Sequence, residues 1–127
     1  MQNIKPDPRL YLLGDTMAGT ILINRKIGLA TSAVDFDYLV EKIRAAFLPE
    51  DNSIRAAIYE PFDEGGMNFI SAAELDEKEF QIFALAIKNA YAVAVKELSI
   101  GTHGNQWLEL FELIESDPRF QKKLNGV

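Results

Sequence analysis

Cysteine is absent from the 127 residues. That excludes disulfides, thiolate metal sites and a thiol nucleophile together, and it suits a reducing compartment. No uncharged apolar run approaches the ~20 residues needed to span a bilayer. Met1-Gln-Asn-Ile-Lys-Pro6 has no charged-then-apolar secretory pattern, so the expected address is the cytoplasm. A basic surplus is missing too: 19 acids face 13 lysines and arginines, the net charge is -6 and the pI is about 4.8. Nucleic acid and anionic membrane surfaces are therefore not expected partners, since both are bound by Lys and Arg neutralising phosphate. With 48% apolar and 25% charged residues the chain reads as globular rather than disordered. Its length fits a single domain, 1–127.

The acid that is present is concentrated. Residues 60–79 hold Glu60, Asp63, Glu64, Glu74, Asp76, Glu77 and Glu79 against the one base Lys78, while acids and bases balance on either side of this window. A localised field attracts a basic partner and speeds encounter, whereas the same charge spread evenly mainly aids solubility.

Short β-branched runs at Arg9–Leu13, Thr20–Asn24 and Lys26–Thr31, separated by Gly14, Gly19 and the polar pair Asn24-Arg25, predict an antiparallel meander. Ser32 then caps an amphipathic helix over about 35–47, in which Phe36, Leu39, Val40, Ile43 and Phe47 share a face. Ile54–Glu60 and Met67–Ser71 read as two further strands joined through Pro61–Gly66, whose glycines supply positive φ. A long helix over about 75–98 opens with acids at its positive dipole end. It is apolar over most of its circumference, as a buried helix is. Another helix, about 105–116, is expected to turn Trp107, Leu108, Phe111 and Ile114 inward, and Pro118 starts a last turn. The fold class is α+β: a mostly antiparallel sheet of about five strands packed by a long buried helix and additional C-terminal helices.

No strong catalytic motif stands in the chain. Gly14–Gly19 lacks the Gly-Lys-Ser/Thr ending of a phosphate loop and reads as a turn. His103 is the only histidine, set between glycines with no recognisable orienting partner, and is expected to be a dispensable loop residue. The acids show no calcium-loop ladder, so no metal and no cofactor are expected. Glu109, Glu112 and Glu115 read as a solvated helix back, and Tyr91 and Trp107 as packing. A partner surface is expected at Glu60, Phe62, Asp63, Glu64, Met67, Asp76, Glu77 and Glu79, with the acids steering a basic protein and Phe62 and Met67 giving buried contact.

Asp76-Glu-Lys-Glu-Phe80 opening a long helix, then Gln106-Trp-Leu-Glu-Leu110 and the closing Ser116-Asp-Pro-Arg-Phe120, resemble the small immunity proteins that bacteria make against contact-delivered toxins, over residues 76–120. The resemblance implies a cognate toxin domain, often a basic nuclease, bound and neutralised in the cytoplasm without catalysis. That family is diverse in fold and offers no fixed site residues. Two other classes stay open: a homo-oligomeric or homodimeric interaction subunit burying the long helix, and a small hydrolase or ligand-binding enzyme using Asp15 or His103.

Overall fold

The computed structural model describes residues 18–98 and 100–120. Strand β1 (Ala18–Leu22) turns into β2 (Gly28–Ser32), followed by helices α1 (Ala33–Ala45) and α2 (Asn52–Asp63), strand β3 (Phe69–Ser71), and helices α3 (Glu77–Lys96) and α4 (Gly104–Ser116). Short 3-10 turns at Pro49–Asp51 and Gly101–His103 precede α2 and α4. Among the described residues the sheet has three strands in the order β2-β1-β3.

The β1–β2 hairpin is antiparallel, with Thr20 opposite Ala30 and Leu22 opposite Gly28. The Asn24 side chain closes it by accepting from the backbone N–H groups of Lys26 and Ile27 at 2.8 and 3.0 Å. β3 joins the other edge of β1 in parallel, Ile21 facing Ile70. Among the described residues the sheet is thus mixed and three-stranded, where a mostly antiparallel sheet of about five strands was expected. The Arg9–Leu13 strand and most of the Gly14–Gly19 turn lie outside the described residues. Gly19 itself is in β1, where a Cβ would meet Phe36 Cγ at 2.1 Å, so only glycine lets α1 pack this closely on the strand.

Ile54–Glu60 is helix, not strand. Ile54, Ile58 and Phe62 recur every fourth residue and face inward, while the helix formers Ala56 and Ala57 face solvent. Pro61 lies inside α2 near its end. The helix nevertheless continues past it, because the last turn is tied by Glu64 and Gly65 N–H groups donating to the Glu60 carbonyl and by Met67 N–H donating to the Pro61 carbonyl. The expected Pro61–Gly66 hairpin is therefore a helix end, completed by Gly66 at φ 67°.

The other helices fall close to their expected bounds. The Ser32 side chain accepts from Asp35 N–H and caps α1. Asp76 and Glu79 form a reciprocal capping box on α3. α3 buries Phe80, Phe83, Ile87 and four alanines on a broad face, but leaves Leu85, Val93 and Val95 exposed, so it is not buried all round. In α4 the inward residues are Trp107, Leu110, Leu113 and Ile114, whereas Leu108 is exposed. The core lies between the sheet and the helices, with Ile21, Leu39, Tyr59, Ile70, Phe83 and Trp107 all without solvent access. Among the described residues no helix is long and apolar enough to cross a membrane.

Candidate partner-binding surface

The last turn of α2 carries three of the window's acids, Glu60, Asp63 and, as its C-cap, Glu64. Carboxylates at this end oppose the negative pole of the helix dipole, and Glu60 and Glu64 are like charges four apart. Asp63 is compensated inside the molecule. Arg44 of α1 donates to both its oxygens, Nη1 to Oδ2 at 2.9 Å and Nη2 to Oδ1 at 3.0 Å. This bidentate hydrogen bonding holds the Asp63 carboxyl below the usual range and raises Arg44. The same guanidinium lies 4.4 Å over the Tyr59 ring. Tyr59 is buried, donates its hydroxyl to the Val40 carbonyl at 2.6 Å, and has its pKa pushed far up by that burial. Glu60 and Glu64 are exposed, and among the described residues no cation pairs with them. Met67 is half in solvent, at 52% exposure. Phe62, by contrast, packs inward, edge-on to Phe36 with ring centroids 5.5 Å apart. As a buried-contact residue for a partner it is therefore largely spent on the core.

The second half of the window lies elsewhere. β3 runs parallel to β1, which places residues 60–67 before the strand and 74–79 beyond its far end, beside the β1–β2 turn. Arg25 of that turn donates to both Glu74 oxygens, at 2.7 and 3.0 Å. Asp76 and Glu79 are engaged in their capping box, and Glu77 is half-buried on the first turn of α3. The helix dipole favours all three there, so they have a sufficient structural role. The structure thus brings Glu60, Asp63, Glu64 and Met67 together and sets Asp76, Glu77 and Glu79 apart from them.

His103 is better supported than its glycine neighbours suggest. Its ring stacks on Tyr38 of α1, and its Nδ1 is enclosed 3.1 Å from Asp35 Oδ1, though not aligned as a hydrogen bond. Gln106 Nε2 donates to the other Asp35 oxygen at 3.1 Å, and buried Trp107 Nε1 donates to the Tyr38 hydroxyl at 3.2 Å. The expectation of a loosely held side chain is overturned. The partners are 65 residues and more upstream, where sequence spacing gave no signal. Asp15 lies outside the described residues.

The closing Ser116–Phe120 segment is also structural. Asp117, 2% exposed, accepts from Arg119 at both oxygens and from Asn24. Arg119 further donates to the carbonyls of Ala72, Leu75 and Ile23, and its guanidinium lies 4.1 Å over Phe80. Burial works against the Asp117 carboxylate, but the hydrogen bonds from Arg119 and Asn24 outweigh it and hold its pKa below the usual range. This clamp ties the chain's last described turn to the β1–β2 turn and to the loop before α3.

An open cleft of about 330 Å³ lies between the end of α1 and the start of α2. Glu41, Arg44, Phe47, Pro49, Asn52 and Arg55 line it, away from His103. The spacing of these residues along the chain gives no sign of it.

No family model matches the chain. The immunity protein CdiI of Burkholderia pseudomallei is 36% identical over 103 residues, spanning 81% of this chain and 94% of that protein. A chain in the solved structure of the CdiA-CT toxin from Burkholderia pseudomallei E479 in complex with its cognate CdiI immunity protein matches with a TM-score of 0.79 and 35% identity, over 81% of this chain and 99% of that one. Sequence and fold agree across nearly the whole of both relatives, and the chain belongs to the CdiI immunity-protein family.

Proposed function

We infer that this protein binds and neutralises a cognate CdiA-CT-type toxin in the cytoplasm, acting by occlusion rather than catalysis. The observation that carries the reading is the match to a chain of a toxin–immunity complex along 99% of that chain's length. A non-enzymatic role is supported by the family, whose matched member is an immunity protein.

The toxin-facing surface is centred on the end of α2, at Glu60, Glu64 and Met67, with Asp63 contributing a carboxylate already neutralised by Arg44. What supports this is energetic: Glu60 and Glu64 sit where the helix dipole and each other disfavour them, at a cost of a few tenths of a kcal/mol each. Among the described residues no ion pair or side-chain hydrogen bond compensates them. The second group, Asp76, Glu77 and Glu79, takes part only as a more distant contribution to the field.

The test is stopped-flow association with a cognate CdiA-CT toxin domain, across a salt series. Glu60→Lys with Glu64→Lys should slow association by about tenfold at low salt and flatten its salt dependence, without unfolding the protein. Equal rates for wild type and variant at every salt concentration would remove these acids from the interface.

A further inference from the structure

The cleft between α1 and α2 opens at the start of α2, at the other end of that helix from Glu60 and Glu64. Phe47 and Pro49 make its apolar wall, and Leu48, which lies between them in sequence, is 48% exposed. Of its two arginines, Arg44 is already committed, both terminal nitrogens to Asp63 and its plane to Tyr59. It has no free fork for an anion. Arg55 makes a long contact of 3.5 Å to Asn52 and is the remaining cation. Against it stand the exposed carboxylates of Glu41 in the lining and Glu50 next to Pro49.

α2 then connects this cleft to Glu60 and Glu64. Its twelve residues span about 18 Å, the length of five or six residues of extended chain. Ser53, Ala56 and Ala57 are exposed along it, so among the described residues of this face a partner's backbone meets no large side chain between the two ends.

We propose that the α1–α2 cleft is the anchor pocket of the toxin interface: a basic segment of the toxin lies along the exposed face of α2 and inserts one aromatic or long aliphatic side chain between Phe47, Pro49 and Arg55. The proposal rests on the toxin-binding reading above. Charge chooses the partner, since carboxylates flank both ends of the track, and the apolar wall chooses the inserted group. Interfaces concentrate their binding energy in such side chains seated in desolvated pockets.

Ala45 ends α1 at the cleft and is exposed, so Ala45→Trp fills the space with little demand on the core. Binding of the purified toxin domain is measured for wild type, Ala45→Trp, Glu50→Lys and, on the exposed face of α3, Leu85→Ala, with circular dichroism confirming the fold of each. The expected result is a loss of at least about tenfold in affinity for Ala45→Trp, mostly in the dissociation rate. Glu50→Lys should slow association, and Leu85→Ala should bind like wild type. Wild-type binding with Ala45→Trp within about twofold of it overturns the anchor pocket while leaving the toxin reading in place, as does a loss confined to Leu85→Ala. Absence of binding by wild type overturns the toxin reading itself. If Ala45→Trp fails to fold, Phe47→Ala supplies the same comparison by removing the wall.

Discussion

His103 lies flat against Tyr38, ring centroids 3.8 Å apart and planes inclined by 11°. Through this stack, and through Asp35 beside it, the turn before α4 is fastened to the first turns of α1, with Trp107 closing the other side of Tyr38. His103→Ala should therefore destabilise the protein by about 1 kcal/mol or somewhat more, the scale of a packed aromatic pair. Toxin binding should be unchanged at saturating stability. Urea unfolding and a binding titration on the same variant separate these; an unshifted urea midpoint would show that the stack contributes nothing.

Arg119 is the most connected side chain of the Asp117 clamp. Arg119→Ala removes the partner of a buried carboxylate and the donors to three carbonyls at once. A loss on the order of 3–5 kcal/mol is expected. Arg119→Lys should recover only part of it, because a single ammonium cannot reproduce the planar fork. A loss under about 0.5 kcal/mol for the alanine variant, typical of a surface change, would contradict the clamp.

The clamp also sets an acid limit. The Asp117 carboxyl is held below its ordinary value in the folded state, so the unfolded chain binds the proton more readily. The associated stability is complete above the unfolded value of about 4 and is lost as pH falls through the folded value. Urea midpoints measured from pH 7 downward should hold until about pH 4 and then decline. Asp117→Asn should be less stable at neutral pH yet decline less steeply; parallel wild-type and variant profiles would place the acid sensitivity elsewhere.

The long helix is the centre of the core even though one side of it is wet. Phe83, with no solvent access, should cost about 3–5 kcal/mol on truncation to alanine. The exposed Leu85 two residues on should cost less than about 0.5 kcal/mol. Reversal of that order in chemical denaturation would mean that the helix is turned the other way.

These elements show which parts of the molecule could be read in advance. α1, α3 and α4 announce themselves through sustained apolar patterning, helped by the Ser32 cap before α1 and by the acids that open α3. α2 did not, because Ile54–Glu60 is too short for a period to separate helix from strand, and Pro61 with Gly65-Gly66 resembles a turn. The parallel pairing of β3 with β1 depends on a crossover through two helices, which no local signal encodes. The site divides in the same way. Exposed Glu60 and Glu64 follow from charge patterning, but the compensation of Asp63 by Arg44, 19 residues earlier, and the inward turn of Phe62 onto Phe36 are tertiary facts. The family resemblance over residues 76–120 was carried by segments that here maintain the fold: a capping box, a packed tryptophan and the Asp117–Arg119 clamp.

The proposed function requires direct capture of a CdiA-CT-type toxin. Isothermal titration of the purified protein into its cognate CdiA-CT toxin domain tests it most simply, with a non-cognate toxin domain as the control. A one-to-one complex is expected with a Kd of about 10 nM or tighter for the cognate toxin, the range of specific interfaces of ordinary size, and with loss of toxin activity at the same stoichiometry. No heat of binding with both proteins at about 10 μM, together with undiminished toxin activity, would contradict it.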